Sequence, residues 1–141
     1  MLKGIPSIIS PDMMKILMEM GHSDELVLAD ANFPATTCAK RLIRCDGLLL
    51  PQLLQSILQF YPLDKTVKHP AALMTVSATE VAPAIWEEYR GIIQKHEPDF
   101  RDFEHVERYQ YYERTKNAFA VFITGDTTFR ANILLKKGVV R

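Results

Sequence analysis

Short, mostly apolar segments separated by amphipathic ones constrain the fold of this chain more than any other feature of its sequence. The clearest are Glu25–Ala29, Ala71–Ser77, Ala118–Thr124 and Ala131–Lys137. A short run without alternation of apolar and polar residues is typical of a strand that is buried on both faces of a sheet. With Arg41–Cys45 as a further candidate strand, we predict an α/β fold in which helices cover a mostly buried sheet.

Helices are predicted between these strands by their start signals and by apolar residues at helical spacing. Ser10 can cap a helix that has Pro11 at its first position, and Gly21 ends that helix. The other predicted helices begin near Pro51, near Pro83 and at the start of the polar segment Tyr111–Asn117. The segment Asp102–Tyr109 fits neither a helix nor a strand pattern.

The composition is that of a globular chain and disfavours several classes of function. The 141 residues, 48% of them hydrophobic, suit one domain over residues 1–141. Because 17 basic side chains balance 17 acidic ones, we expect neither a nucleic-acid partner nor a charged membrane surface. The longest uncharged stretch, Gly47–Leu63, contains two prolines and three glutamines and does not suit a membrane-spanning helix. Without a recognisable secretory signal, and with Cys38 and Cys45 at no zinc or redox spacing, we expect a cytoplasmic protein.

The standard motifs for nucleotide, metal and nucleophile chemistry are absent, so we expect no cofactor and no metal. His22 is the strongest candidate for catalysis. It follows the predicted helix end and precedes the strand at Glu25, a junction where α/β proteins assemble sites. His22 could therefore be a general acid or base, and the alternative is a loop histidine that stabilises the helix C-terminus.

Other segments carry candidate binding groups. Asp30 ends a predicted strand, where it either accepts a ligand hydroxyl or caps the following turn. The segment Arg108–Arg114 interleaves cations with tyrosines, which suits a sugar, single-stranded nucleic acid or a solvated amphipathic segment. Asp64, in Pro62-Leu63-Asp64, has the context of a turn residue.

Several longer motifs occur together in a fixed order. They are Lys3-Gly4-Ile5-Pro6, Met20–Glu25, Leu28–Ala35, Arg44–Gly47, Tyr112-Glu113-Arg114 and Asn132–Val139. In order and spacing they closely resemble the family of ribose pyranases and fucose mutarotases, from about Leu2 to Val139. The resemblance implies a three-layer α/β/α subunit with a mixed sheet, in a ring-type homo-oligomer that is a decamer in bacterial relatives. It also implies sites in clefts between neighbouring subunits.

The resemblance further implies an isomerase that interconverts the anomers of L-fucose, or of a similar monosaccharide, through ring opening without a cofactor. A D-ribose pyranase and a non-catalytic sugar-binding or transport-accessory protein are the alternatives. The residue roles implied by the resemblance are His22 as proton donor, Asp64 and Tyr112 as catalytic groups, and Asp30, Arg108 and Asn132 as sugar-binding groups.

The chain departs from the family at one motif. Arg130-Ala131-Asn132 stands where relatives have Tyr-Gly-Asn or Tyr-Ala-Asn. Either Arg130 faces the sugar and changes which sugar is preferred, or it turns towards Asp126 or a neighbouring subunit and Phe129 fills its place.

Overall fold

One six-stranded mixed sheet forms the centre of the molecule. The computed structural model describes every residue from 1 to 141. The strands are β1 (Glu25–Ala29), β2 (Leu42–Cys45), β3 (Ala71–Met74), β4 (Glu104–Val106), β5 (Ala120–Thr124) and β6 (Ile133–Lys136). Their order is β2-β5-β1-β6-β3-β4, and β6 is antiparallel to both of its neighbours while the other adjacent pairs are parallel.

Helices cover both faces of this sheet. They are α1 (Pro11–Glu19), α2 (Ala35–Cys38), α3 (Leu50–Ile57), α4 (Ile85–His96) and α5 (Arg108–Asn117). The apolar sides of α1, α3 and α4 share one core with the sheet, and those of α2 and α5 share the other. This arrangement confirms the predicted three-layer α/β/α fold with a mixed sheet. No helix has the length and apolar character needed to cross a membrane.

Burial on both faces explains why the central strands read as continuous apolar runs. In β1, Leu26 and Leu28 point into the core under α1, α3 and α4, whereas Val27 and Ala29 point into the core under α2 and α5. All four are fully buried. Alternation along the strand therefore selects between two apolar environments and leaves no polar periodicity in the sequence.

Three predicted boundaries are corrected by local contacts. β3 ends at Met74 rather than Ser77, because its pairings with β4 and β6 extend no further. α5 begins at Arg108 rather than Tyr111, because the Glu107 carboxylate accepts hydrogen bonds from the two backbone amides after Arg108 and caps the helix there. β5 begins at Ala120 rather than Ala118, whose backbone N–H still closes the last turn of α5.

The remaining differences concern short or marginal elements. β2 begins one residue after the predicted start, and β6 spans Ile133–Lys136 rather than Ala131–Lys137. α4 begins at Ile85, two residues after Pro83. α2 was not predicted, since its four residues give no measurable periodicity. The ambiguous segment Asp102–Tyr109 contains β4, a three-residue strand at the edge of the sheet, and the first turn of α5.

The strand directions place several polar residues at one edge of the sheet. β1, β3, β4 and β5 all end at this edge, and the antiparallel β6 begins there. Asp30 follows β1, Arg108 lies just beyond β4, and Asn132 precedes β6. Residues 24 positions or more apart in sequence therefore meet at this carboxyl edge, where open α/β sheets bind ligands.

Candidate active site

A cleft of about 410 Å³ opens at the carboxyl edge of the sheet, and we refer to it as the carboxyl-edge cleft. Five of the seven predicted site residues line it: Asp30, Arg108, Tyr112, Arg130 and Asn132. Polar side chains from two strand ends, one helix and one loop thus converge on a single concave surface, as expected of a small-molecule site.

Asp30 and Asn132 form the floor of the carboxyl-edge cleft. The backbone N–H of Asp30 donates to Asn132 Oδ1 at 2.8 Å, which ties the end of β1 to the start of β6. Asp30 Oδ1 accepts from the Asn32 backbone N–H at 2.9 Å. Asp30 thus caps the turn that follows it, which is one of the two roles predicted for this residue. Asp30 also lines the cleft, so that its carboxylate faces the space that a ligand would occupy.

Burial dominates the electrostatics of Asp30. Desolvation raises the pKa of this carboxyl, and hydrogen bonds from Asn32 and the Asn132 side chain offset only part of the shift. When burial raises the pKa of a carboxyl, an added hydrogen-bond donor stabilises its ionised form. A hydroxyl of a bound ligand is such a donor.

Two side chains of α4 hold the backbone of the Arg130-Ala131-Asn132 motif in place. Trp86 Nε1 donates to the carbonyl of Arg130 at 2.8 Å, and the Tyr89 hydroxyl donates to the carbonyl of Ala131 at 2.6 Å. Arg130 has a φ of 53°, a left-handed conformation that these contacts help to maintain. The rings of both residues are packed in the core, and only their polar atoms reach the motif.

Arg130 lines the carboxyl-edge cleft, and the anion nearest to its guanidinium differs from the predicted one. Its Nη2 lies 3.9 Å from the Glu80 carboxylate, its guanidinium packs 5.3 Å from the centre of the Phe129 ring, and it makes no ion pair with Asp126. Asp126 instead accepts from the backbone N–H of Leu50 and caps α3. The prediction that Arg130 could turn towards Asp126 is therefore wrong.

Arg108 and Tyr112 project from α5 at the wall of the carboxyl-edge cleft. Tyr112 packs edge-on against Phe33 at 5.5 Å and against Tyr109 at 6.1 Å between ring centres. Arg108 donates to the Tyr109 hydroxyl at 2.5 Å and stays exposed. These aromatic contacts hold the Tyr112 ring in place. They do not involve its hydroxyl, which has no hydrogen-bond partner in the protein.

His22 and Asp64 form a pair at the opposite, amino edge of the sheet. His22 Nε2 lies 3.2 Å from Asp64 Oδ1, so the ring bonds this carboxylate rather than the end of α1. Asp64 is 1% exposed and also accepts from the backbone N–H and the hydroxyl of Thr66, which confirms its predicted turn context. Desolvation acts to raise the pKa of Asp64, but the bonds from Thr66 and His22 outweigh it and lower the pKa.

Gly138 allows the Asp64 turn to lie against the end of β6. A Cβ at this position would come within 2.4 Å of the Leu63 carbonyl oxygen. The Gly138 N–H donates to the Pro62 carbonyl at 2.8 Å. Only glycine fits this close backbone approach, which holds Asp64 where His22 can reach it.

The His22–Asp64 pair and the carboxyl-edge cleft are too far apart to contact one sugar in the same subunit. His22 lies before β1 and Asp30 follows it. The segment from Asp24 to Asp30 is nearly all strand and, at about 3.3 Å per residue, separates the two places by roughly 20 Å. That length exceeds a monosaccharide ring by a wide margin. The structure thus brings together five predicted residues in one place and the other two in another. No group of three or more His, Cys, Asp or Glu side chains is arranged to hold a metal ion.

Comparison with known proteins identifies relatives along the whole chain. The sequence model of the RbsD / FucU transport protein family matches residues 3–140. Human fucose mutarotase is 42% identical over 99% of this chain and 94% of its own length. Among solved structures, the fucose mutarotase from Streptococcus pneumoniae, in complex with L-fucose, is 51% identical, with a TM-score of 0.95 over 99% of this chain and 100% of that one. RbsD from Bacillus subtilis, complexed with D-ribose, has a TM-score of 0.70 over the full length of both chains at 23% identity, a likeness of fold alone.

Proposed function

Because this chain belongs to the RbsD / FucU transport protein family, we propose that it is an isomerase that interconverts the anomers of L-fucose. The observation that carries the proposal is the carboxyl-edge cleft, which gathers Asp30, Arg108, Tyr112 and Asn132 into one polar, concave surface. It belongs to a fold superimposable on that of a fucose mutarotase solved with L-fucose.

The reaction needs only proton transfers. Opening the pyranose ring requires a proton on the ring oxygen and the removal of one from the anomeric hydroxyl, and reclosure after rotation of the aldehyde reverses both. Positioned general acids and bases typically contribute about 10²–10⁴-fold to such steps. The residues assigned below supply these groups from side chains alone, so we propose a reaction without a cofactor or metal.

We assign the main proton transfer to Nδ1 of His22. The Asp64 carboxylate, ionised because its pKa is lowered, accepts from His22 Nε2–H. This bond fixes the tautomer and leaves Nδ1 as the free nitrogen. The His22 side chain is 44% exposed whereas that of Asp64 is 1% exposed. Asp64 is therefore a positioning residue, and His22 is the group that reaches a sugar.

The cleft residues supply recognition and a second proton-transfer group. The Asp30 carboxylate accepts from a sugar hydroxyl, and the amide of Asn132 and the exposed guanidinium of Arg108 donate to sugar oxygens. The hydroxyl of Tyr112 has no protein partner and can exchange a proton with the anomeric oxygen. Arg130 lies at the wall of the cleft, where it binds the sugar and contributes to the preference for one sugar over another.

The two separated groups become one site when subunits associate. We infer that the neighbouring subunit's His22 faces the carboxyl-edge cleft, which agrees with the sites between subunits that the resemblance implies. Such a contact is heterologous, and when its rotation closes the assembly is a ring in which every copy makes the contact. We therefore propose a homo-oligomer, a decamer by analogy with bacterial relatives, built from single domains of residues 1–141 and located in the cytoplasm.

Saturation-transfer NMR on equilibrated L-fucose and D-ribose tests this function. The expected result is enhanced exchange between the α and β pyranose signals of L-fucose, and its reduction by about 10²-fold or more in His22→Ala. His69→Ala, which changes a half-buried histidine next to the Asp102 carbonyl, is the matched control and is expected to keep the wild-type rate.

Each other outcome identifies one of the alternatives. Pyranose–furanose exchange of D-ribose without L-fucose exchange would make the protein a ribose pyranase. Binding of L-fucose without any enhancement of exchange would make it a sugar-binding protein.

A further inference from the structure

Glu80 is a charged residue of the carboxyl-edge cleft to which the proposed reaction gives no role. It lies on the loop between β3 and α4. Its Oε1 accepts from the Ser77 backbone N–H at 2.7 Å, and this bond, together with Arg130, lowers the pKa of the carboxyl. Glu80 is therefore held as an anion at the wall of the cleft.

Arg130, which replaces the family tyrosine, depends on this anion. Its Nε is buried without an acceptor, and Nη2 lies 3.9 Å from Glu80, beyond hydrogen-bonding distance. No other carboxylate lies within 4 Å of the guanidinium. Arginine is permanently charged, and Glu80 offsets that charge. The guanidinium nevertheless keeps N–H groups that have no acceptor in the protein.

The charges that line the cleft cancel. Asp30 and Glu80 contribute two negative charges, Arg108 and Arg130 contribute two positive ones, and the other lining residues are uncharged. Without Glu80 the surface would carry a net positive charge centred on an arginine with unused donors.

We propose that Glu80 is a specificity-determining residue that, by pairing with Arg130, keeps the cleft selective for neutral sugars over those that carry a carboxylate. The inference rests on the proposed function and names the substrate class of the same site. L-fucose carries a methyl group at C5. L-galacturonate has the same ring stereochemistry with a carboxylate in its place, and so isolates the effect of charge. An unpaired arginine attracts that carboxylate through Coulomb interaction in a partly desolvated cleft.

The test is the ratio of exchange rates on L-galacturonate and L-fucose, measured by saturation-transfer NMR. We expect Glu80→Gln to raise this ratio about tenfold at low ionic strength, and the gain to shrink as salt is added. Arg130→Asn, which suits the left-handed backbone, is expected to lower the ratio because Glu80 then stands unpaired. The variant with both changes is expected to return to the wild-type ratio.

Glu19→Gln is the matched control, since it removes an exposed carboxylate that lies 3.8 Å from Lys15 and far from the cleft. An unchanged ratio in Glu80→Gln overturns the inference, and so does a gain that persists when Arg130 is also replaced. If the wild-type protein fails to exchange L-fucose, the proposed function is wrong. The inference is then decided by the ratio of the two sugars' affinities, measured calorimetrically in the same four proteins.

Discussion

Mixed oligomers can reveal whether the active site is shared between subunits. His22→Ala and Asp30→Asn each remove one half of the proposed site. At L-fucose concentrations well below saturation both should lower the exchange rate, His22→Ala by about 10²-fold or more through lost proton transfer and Asp30→Asn through weakened sugar binding. Because roughly 20 Å of strand separates the two residues within a chain, a shared site takes each from a different subunit. The two inactive variants should therefore restore activity when they assemble together.

The size of the restoration follows from random assembly. If equal amounts of His22→Ala and Asp30→Asn are unfolded together and refolded, about one site in four draws both wild-type residues from its two contributing subunits. The expected exchange rate on L-fucose is thus about a quarter of the wild-type rate. Folded variants that are mixed without unfolding are the control and should stay inactive until subunits exchange.

A second mixture gives an independent reading. When a chain carrying both changes is refolded with an equal amount of wild-type chain, a shared site leaves about one quarter of sites intact, whereas a site within one subunit leaves about one half. Complementary variants that stay at their residual rates, together with half activity in the second mixture, would refute the shared site.

Three further predictions concern the supports of the two half-sites. Gly138→Ala should destabilise the fold by about 1–3 kcal/mol, because its Cβ would overlap the Leu63 carbonyl, while Gly47→Ala, with open space around it, should change the thermal midpoint little. Asp30→Asn should raise the thermal midpoint at pH 7 and leave it unchanged at pH 3, because a carboxyl with a raised folded pKa destabilises the fold only where it is ionised; equal gains at both values would contradict this. Asp64→Asn should lower stability near neutral pH, since a lowered pKa contributes stability above the unfolded pKa, and thermal unfolding should show that difference disappear as pH falls through the folded pKa.

The layers of the fold could be predicted because the sheet is buried on both sides. Segments such as β1 and β5 contain almost only apolar residues, whichever face each residue points to. β4 could not be predicted, because an edge strand of three residues, Glu104–Val106, carries too little pattern to separate it from a loop. Its existence depends on pairing with β3, which local sequence does not encode.

The site was predictable only where its residues lie at the ends of recognisable elements. Asp30 follows a clear strand, so its place at the strand end could be predicted. Asn132 was predicted to lie inside the strand Ala131–Lys137, and the structure places it just before β6. The contact between His22 and Asp64 joins residues 42 positions apart, and the contact between Arg130 and Glu80 joins residues 50 apart. Glu80 also lies in an irregular loop with no periodicity, and only its tertiary contacts distinguish it from other surface acids.

The antiparallel strand β6 links the two half-sites within each subunit. At its start, Asn132 accepts from the backbone of Asp30 at the carboxyl edge. At its end, the Lys136 carbonyl accepts from the Asp64 backbone at 3.0 Å and the Lys137 carbonyl accepts from Ser23, next to His22, at 2.9 Å. A parallel strand in this place would begin at the amino edge and would bring its preceding loop to the wrong side of the sheet. The reversed direction of β6 therefore lets one short, fully hydrogen-bonded strand carry the Arg130–Asn132 motif at one edge and hold the His22–Asp64 pair at the other. In a ring, the spacing between these two edges is then set by the length of one strand, which is the same in every subunit.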